Sequence, residues 1–88
     1  MTGIIKLTDR YTEAAIDDEI VVMRIDTGDF FALSGTGAVI WAMIDGQRDR
    51  MSIVAELIEQ FDVSEREIQP QVGQFLHQLY QAGLIVQA

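Results

Sequence analysis

The hydrophobic pattern of the chain changes character across the stretch Gly28 to Asp45. Before it, apolar residues come in short runs and alternations; after it, they recur at helical spacing. Residues 4–16 carry Ile4, Ile5, Leu7, Tyr11, Ala14, Ala15 and Ile16, interrupted by Thr8 and Asp9, which predicts one weak strand near 11–16. Asp17-Asp18 suits a turn, because short carboxylates hydrogen-bond their own backbone there. EIVVMRI, residues 19–25, is the clearest strand: its β-branched side chains fit a pleated surface. Ile20, Val22 and Arg24 share one face, and Val21, Met23 and Ile25 the other. Asp26-Thr27-Gly28-Asp29 reads as a turn, and Phe30 to Leu33 as the next strand, so residues 19–25 and 29–33 form a hairpin.

Ser34 stands where a helix N-cap belongs, its hydroxyl placed to accept a first-turn N–H. The helix of about 37–44 is apolar nearly all round and should be buried, with Trp41 as a core anchor. Asp45-Gly46 ends it, and Gln47 to Arg50 form a polar connector. Ile53, Val54, Leu57, Ile58 and Phe61 make a helical stripe opposite Glu56, Glu59 and Gln60; Arg50 or Ser52 lies near its start, and Asp62-Val63 closes it. Ser64 and Glu67 match a capping box. Pro70 argues against one long helix, since its ring removes an N–H and crowds the preceding turn. Either a short turn ends near Gln69 and the main helix starts at Pro70, or one helix bends there; the first is favoured, a main helix over about 70–82 with Val72, Phe75, Leu76 and Leu79 on its apolar face and Tyr80 at one flank. Gly83 fits the residue after its end, and Leu84-Ile85-Val86 packs back as an apolar tail. Strands followed by three helices make an α+β domain, winged-helix-like in outline, with a small antiparallel sheet.

Composition narrows the function. Eighty-eight residues, 49% of them hydrophobic, suit a single domain over 1–88. With no cysteine and no signal-peptide pattern, a cytoplasmic location is expected. The longest apolar run, Ala38 to Ile44, is far short of the roughly 20 residues of a membrane span. Fourteen acidic residues against six basic give a net charge of −8. That suits a self-repelling soluble surface or a basic partner, and disfavours nucleic acid, which needs clustered Lys and Arg.

Catalytic chemistry has little to stand on. His77, the single histidine, has no evident partner nucleophile and fits a solvent-facing helix position. Asp17-Asp18 and Asp26/Asp29 lack calcium-loop spacing, and the methionines at 1, 23, 43 and 51 lack metal-binding spacing. The Gly35-Thr36-Gly37 corner has neither GxGxxG nor a nearby Lys, so no phosphate loop and no cofactor is expected. Binding is the better lead. A short aromatic strand late in a small antiparallel sheet is an edge, and an edge offers unpaired N–H and C=O groups to a peptide strand. Phe30 and Phe31 point to opposite faces; Phe31 is expected with Leu33 toward the helices, and Phe30 more exposed.

FFALSGTGAVIWAMIDG, the spaced SIVAELIEQFDV and the helix QVGQFLHQLYQAGLI together resemble the PqqD-like family, also called RiPP recognition elements, over about residues 19–86. The resemblance implies a winged-helix-like domain of three strands and three helices. It implies a non-enzymatic adaptor that binds the leader of a ribosomally made precursor peptide and delivers it to a modifying enzyme or leader peptidase. The leader would add as a strand beside Asp29, Phe30, Phe31, Ala32 and Leu33, in a groove walled by Val72, Gly73, Leu76 and Tyr80 of the third helix, with Phe75 and Leu79 turned into the core. Many members carry Asp where this chain has Gln71, which implies a different leader preference. Ser34 stands where Asn is common. The discrete size is similar to the leader-binding proteins of lasso-peptide clusters and to PqqD itself. A winged-helix nucleic-acid binder and a structural subunit of an enzyme complex stand as alternatives.

Overall fold

A computed structural model describes residues 3–87; Met1, one of the four methionines, lies outside them. Five strands and three helices follow one another: β1 (Ile4–Lys6), β2 (Tyr11–Ile16), β3 (Glu19–Arg24), β4 (Phe30–Leu33), α1 (Gly35–Met43), α2 (Arg50–Phe61), α3 (Glu65–Gln81) and β5 (Ile85–Gln87). The three-stranded antiparallel sheet has the order β2-β3-β4, so β4 is an edge. Met23 pairs with Phe30, Val22 with Phe31, Val21 with Ala32 and Ile20 with Leu33. The hairpin turn needs its glycine: Gly28 sits at φ 77° while its N–H closes onto the Arg24 carbonyl at 2.9 Å.

Trp41 is the core anchor the sequence predicts. It is almost fully buried, meets Tyr11 edge-to-face at 5.3 Å, and donates its indole N–H to the Glu13 carboxylate at 3.2 Å. Around it pack Val22 and Leu33 from the sheet, Ile40 from α1, Ile53 and Leu57 from α2, and Val72, Leu76 and Leu79 from α3.

Three local expectations are corrected, and the start of α2, expected near Arg50 or Ser52, gains its cap. The N-terminal window holds two strands, not one. β1 pairs antiparallel with β5, Ile4 opposite Gln87, so the apolar tail packs back as a strand. Ser34 occupies the N-cap position of α1 but makes no side-chain cap bond; the helix is entered through Gly35 at φ 56° instead of an ordinary capped turn. Asp49 is the N-cap of α2, accepting the Ser52 N–H at 2.8 Å. Ser64 caps α3 by accepting the Glu67 N–H at 3.2 Å, but its hydroxyl also donates to the Glu67 carboxylate, in place of the second backbone bond of a capping box.

The largest departure is that α3 runs unbroken through Pro70. Loss of the N–H and the ring clash cost about 3 kcal/mol in a helix interior. Ile68, Val72, Leu76 and Leu79 form one buried stripe across the proline, each worth roughly 1.5–3 kcal/mol of burial. Pro70 and Arg66, whose carbonyl loses the bond, are both exposed, so the missing donor leaves no buried polar group unpaired.

Candidate peptide-binding groove

β4 exists because Phe30-Phe31-Ala32-Leu33 alternates across a half-buried sheet. Leu33 is 8% exposed and Phe31 is half-buried against the core, whereas Phe30 is 69% exposed. The ladder fixes which backbone groups are spent. Arg24 donates its N–H to the Asp29 carbonyl at 2.8 Å, which makes Arg24–Asp29 a hydrogen-bonded pair. By antiparallel alternation Val22–Phe31 and Ile20–Leu33 are the next such pairs. The N–H and C=O groups of Phe30 and Ala32 therefore point away from β3, along the open edge.

Beside that edge runs an open groove of about 470 Å³ between β4 and α3. Phe31 and Leu33 line one side; Phe75, Gln78, Leu79, Gln81 and Ala82 line the other. The lining is apolar apart from two neutral amides, so the groove suits apolar side chains and offers amide contacts at its rim. Arg24 holds its end: one guanidinium nitrogen donates to the Ala82 carbonyl at 2.6 Å, joining the central strand to the last turn of α3. Asp26 accepts from the same guanidinium. That bond raises the Arg24 pKa and lowers that of Asp26, so both stay charged at neutral pH.

Not every residue that the sequence nominates reaches this groove. Phe31 and Leu33 line it; Phe30 and Ala32 carry the free edge; Asp29 is exposed at the start of the strand. Val72, Gly73, Leu76 and Tyr80 do not form its wall. Val72 and Leu76 belong to the buried stripe, while Gly73, Leu76 and Tyr80 border a separate, more polar pocket with Ile4, Arg50, His77 and Gln87. Gly73 is where Arg50 lies: an added Cβ would sit 2.6 Å from its guanidinium. The wall is instead the opposite flank of α3, Phe75, Gln78 and Ala82, together with Leu79. Phe75 and Leu79, expected in the core, touch both core and groove. Gln71 falls on this flank, one turn before Phe75.

Sequence reasoning missed Gln78 and Gln81, which are polar, Ala82, which is small and ends the helix, and Arg24 as a tie. A charged residue ending the inward face of β3 was a usable sign, because such side chains reach the free carbonyls at a helix C-terminus.

Comparison with known proteins places the chain among relatives of the same fold. The solved structure described as TbiB1 in complex with the TbiA(beta) leader peptide is 27% identical, with a TM-score of 0.81, over 92% of this chain and 94% of that one. The structure described as lasso peptide synthetase B1 complexed with the leader peptide shares the fold at 16% identity, with a TM-score of 0.78, over 88% and 91% of the two chains. No curated protein matches significantly. The family profile of coenzyme PQQ synthesis protein D (PqqD) matches residues 19–85, and the chain, with its three-stranded sheet and three helices, belongs to the PqqD family.

Proposed function

We propose that this protein is a leader-peptide-binding adaptor of ribosomally made peptide biosynthesis, of the lasso-peptide type, that presents a precursor to a separate modifying enzyme or leader peptidase and performs no catalysis itself. One observation carries the reading: the outward N–H and C=O groups of Phe30 and Ala32 lie beside an apolar groove, so a guest strand gains backbone bonds and side-chain seats together. An antiparallel or parallel guest pairs with Phe30 and Ala32. Its alternate side chains drop between Phe31, Leu33 and the Phe75–Ala82 flank of α3. The likeness to a protein solved with a leader peptide supports the choice of guest. The membership in the PqqD family supports a binding role.

Gln71 on the groove flank, in place of an acid, leaves a neutral seat where a basic leader residue would otherwise be held. The acidic surface still favours guests and enzymes with basic patches. No helix among the described residues is long and apolar enough to cross a membrane. The test is titration of a labelled leader, from the precursor encoded beside this chain, into the purified protein. Micromolar or tighter binding is expected; absence of binding to every such leader sinks the reading. A gel shift with mixed DNA at low salt separates it from a nucleic-acid binder, and none is expected.

A further inference from the structure

The flank of α3 away from the groove carries a second pocket, built around a cation without a counter-ion. Arg50, the first residue of α2, reaches across to α3 and lies against Gly73, where only a residue without a Cβ leaves it room. Its side chain donates to the Gln69 carbonyl at a long 3.4 Å. Among the described residues no carboxylate forms an ion pair with it, whereas Arg24 and Arg48 are each paired. His77, Tyr80 and Gln87 face the same space of about 220 Å³ over the buried side chains of Ile4 and Leu76. The Tyr80 hydroxyl donates to the Gln87 side-chain oxygen at 3.3 Å, which leaves the Gln87 amide N–H groups free to donate. Guanidinium, amide and an imidazole N–H thus all offer protons here, and no acidic residue lines the pocket. The sequence sets this flank apart as well. All fourteen acidic residues lie from Asp9 to Glu67, and none follows. The exposed crest of α3 runs from His77 at this pocket to Gln78 and Gln81 at the groove, with amides in place of carboxylates.

We propose that the Arg50 pocket binds a carboxylate, an Asp or Glu side chain that the precursor carries beyond its groove-bound leader. The proposal rests on strand addition at β4. Size favours a single group, since the cavity is smaller than the roughly 300–1,000 Å³ of whole small-molecule sites. Charge favours a carboxylate over a phosphate: one guanidinium matches one negative charge, and a net charge of −8 repels a dianion about twice as strongly. The same repulsion disfavours a free acid, whereas a tethered one is presented at high effective concentration once the leader is seated. A helix is about 10–12 Å across and an extended chain advances about 3.3 Å per residue, so the acid stands at least about four residues from the last one seated in the groove.

The test titrates two labelled peptides, the leader alone and the full-length precursor, into wild type, Arg50→Gln and His77→Glu. Arg50→Gln removes the charge from an exposed position; His77→Glu places a competing carboxylate inside the pocket. Wild type is expected to bind the precursor more tightly than the leader. Each variant is expected to weaken precursor binding at least about threefold and to keep leader affinity within about twofold. A precursor whose Asp and Glu outside the leader are replaced by Asn and Gln is expected to bind wild type and both variants alike. A smaller precursor loss in a folded variant overturns the proposal, as does a loss that persists with the neutralised precursor or appears equally with the leader alone. A precursor with no acid beyond its leader overturns it too. Should a melting curve show Arg50→Gln to be unfolded, His77→Glu decides by the same criteria. Failure of the wild-type chain to bind the leader strikes strand addition itself, and is distinct from all of these.

Discussion

Ala32→Pro separates the edge of β4 from its ladder. The N–H of Ala32 points outward, because the bonds to β3 come from Phe31 and Leu33. Proline at 32 therefore removes a donor that the folded chain does not use internally, and edge strands tolerate it. The residue before it, Phe31, is already extended, as proline requires. A bound peptide loses one backbone bond and is left with a carbonyl facing a ring, worth about 1–3 kcal/mol, or roughly five- to 150-fold in affinity. The assay is fluorescence polarisation of a labelled leader, paired with a melting curve. Weaker binding with a melting temperature within about 4 °C of wild type is expected, since a shift of 4–8 °C corresponds to about 1 kcal/mol in a domain of this size. Phe31→Pro is the contrasting variant: it removes a ladder bond to Val22 and is expected to lower the melting temperature. Wild-type affinity in a folded Ala32→Pro protein would refute strand addition at β4.

The two flanks of α3 should behave differently. Phe75→Ala is expected to weaken leader binding by about tenfold, whereas Gly73→Ala leaves it unchanged; a gain of about 1 kcal/mol in helix propensity offsets displacement of the flexible Arg50 head. Gln71→Asp is expected to raise affinity a few-fold for a leader variant with Lys or Arg placed at that flank, in line with about 0.2–1 kcal/mol for an exposed ion pair; titration against neutral and basic leaders checks it. Gly3→Ala is expected to lower the melting temperature sharply, because a Cβ there overlaps the Gly46 carbonyl, which is backbone and cannot swing away. Asp49, capping α2, has its pKa lowered by bonds from Ser52. A depressed carboxylate contributes stability that is complete above the ordinary value of 3.8 and lost as pH falls below it; Asp49→Asn, which accepts the same bond without titrating, should flatten that acid limb in melts from pH 5 to pH 2.

Arg24 shows how a local pattern and a long-range contact share one residue. Alternation along β3 puts it on the inward face with Val22, and that much follows from periodicity alone. Its partner, the Ala82 carbonyl, lies 58 residues away, and only the packed helix brings it within 2.6 Å. The same bond ties the central strand to the end of α3, at Ala82 of the groove lining.

By itself, the sequence determined the features whose causes lie within a few residues. Alternation defined the β3–β4 hairpin, Gly28 its turn, Ser64 a helix cap, and aromatic Phe30-Phe31 an edge with one ring inward and one outward. The resemblance in the ordered motifs also carried the family. Tertiary structure decided what those causes do not reach. Pro70 argues for a break because its local cost is plain, while the buried stripe from Ile68 to Leu79 that outweighs it exists only once α3 is packed. β1 needs β5 at the far end of the chain, a pairing that three residues cannot announce. The helix pattern showed an apolar stripe on α3 but not which neighbouring flank meets β4. That choice depends on how the helix sits over the sheet, so the groove wall lies at Phe75, Gln78 and Ala82 and not at Gly73 and Tyr80.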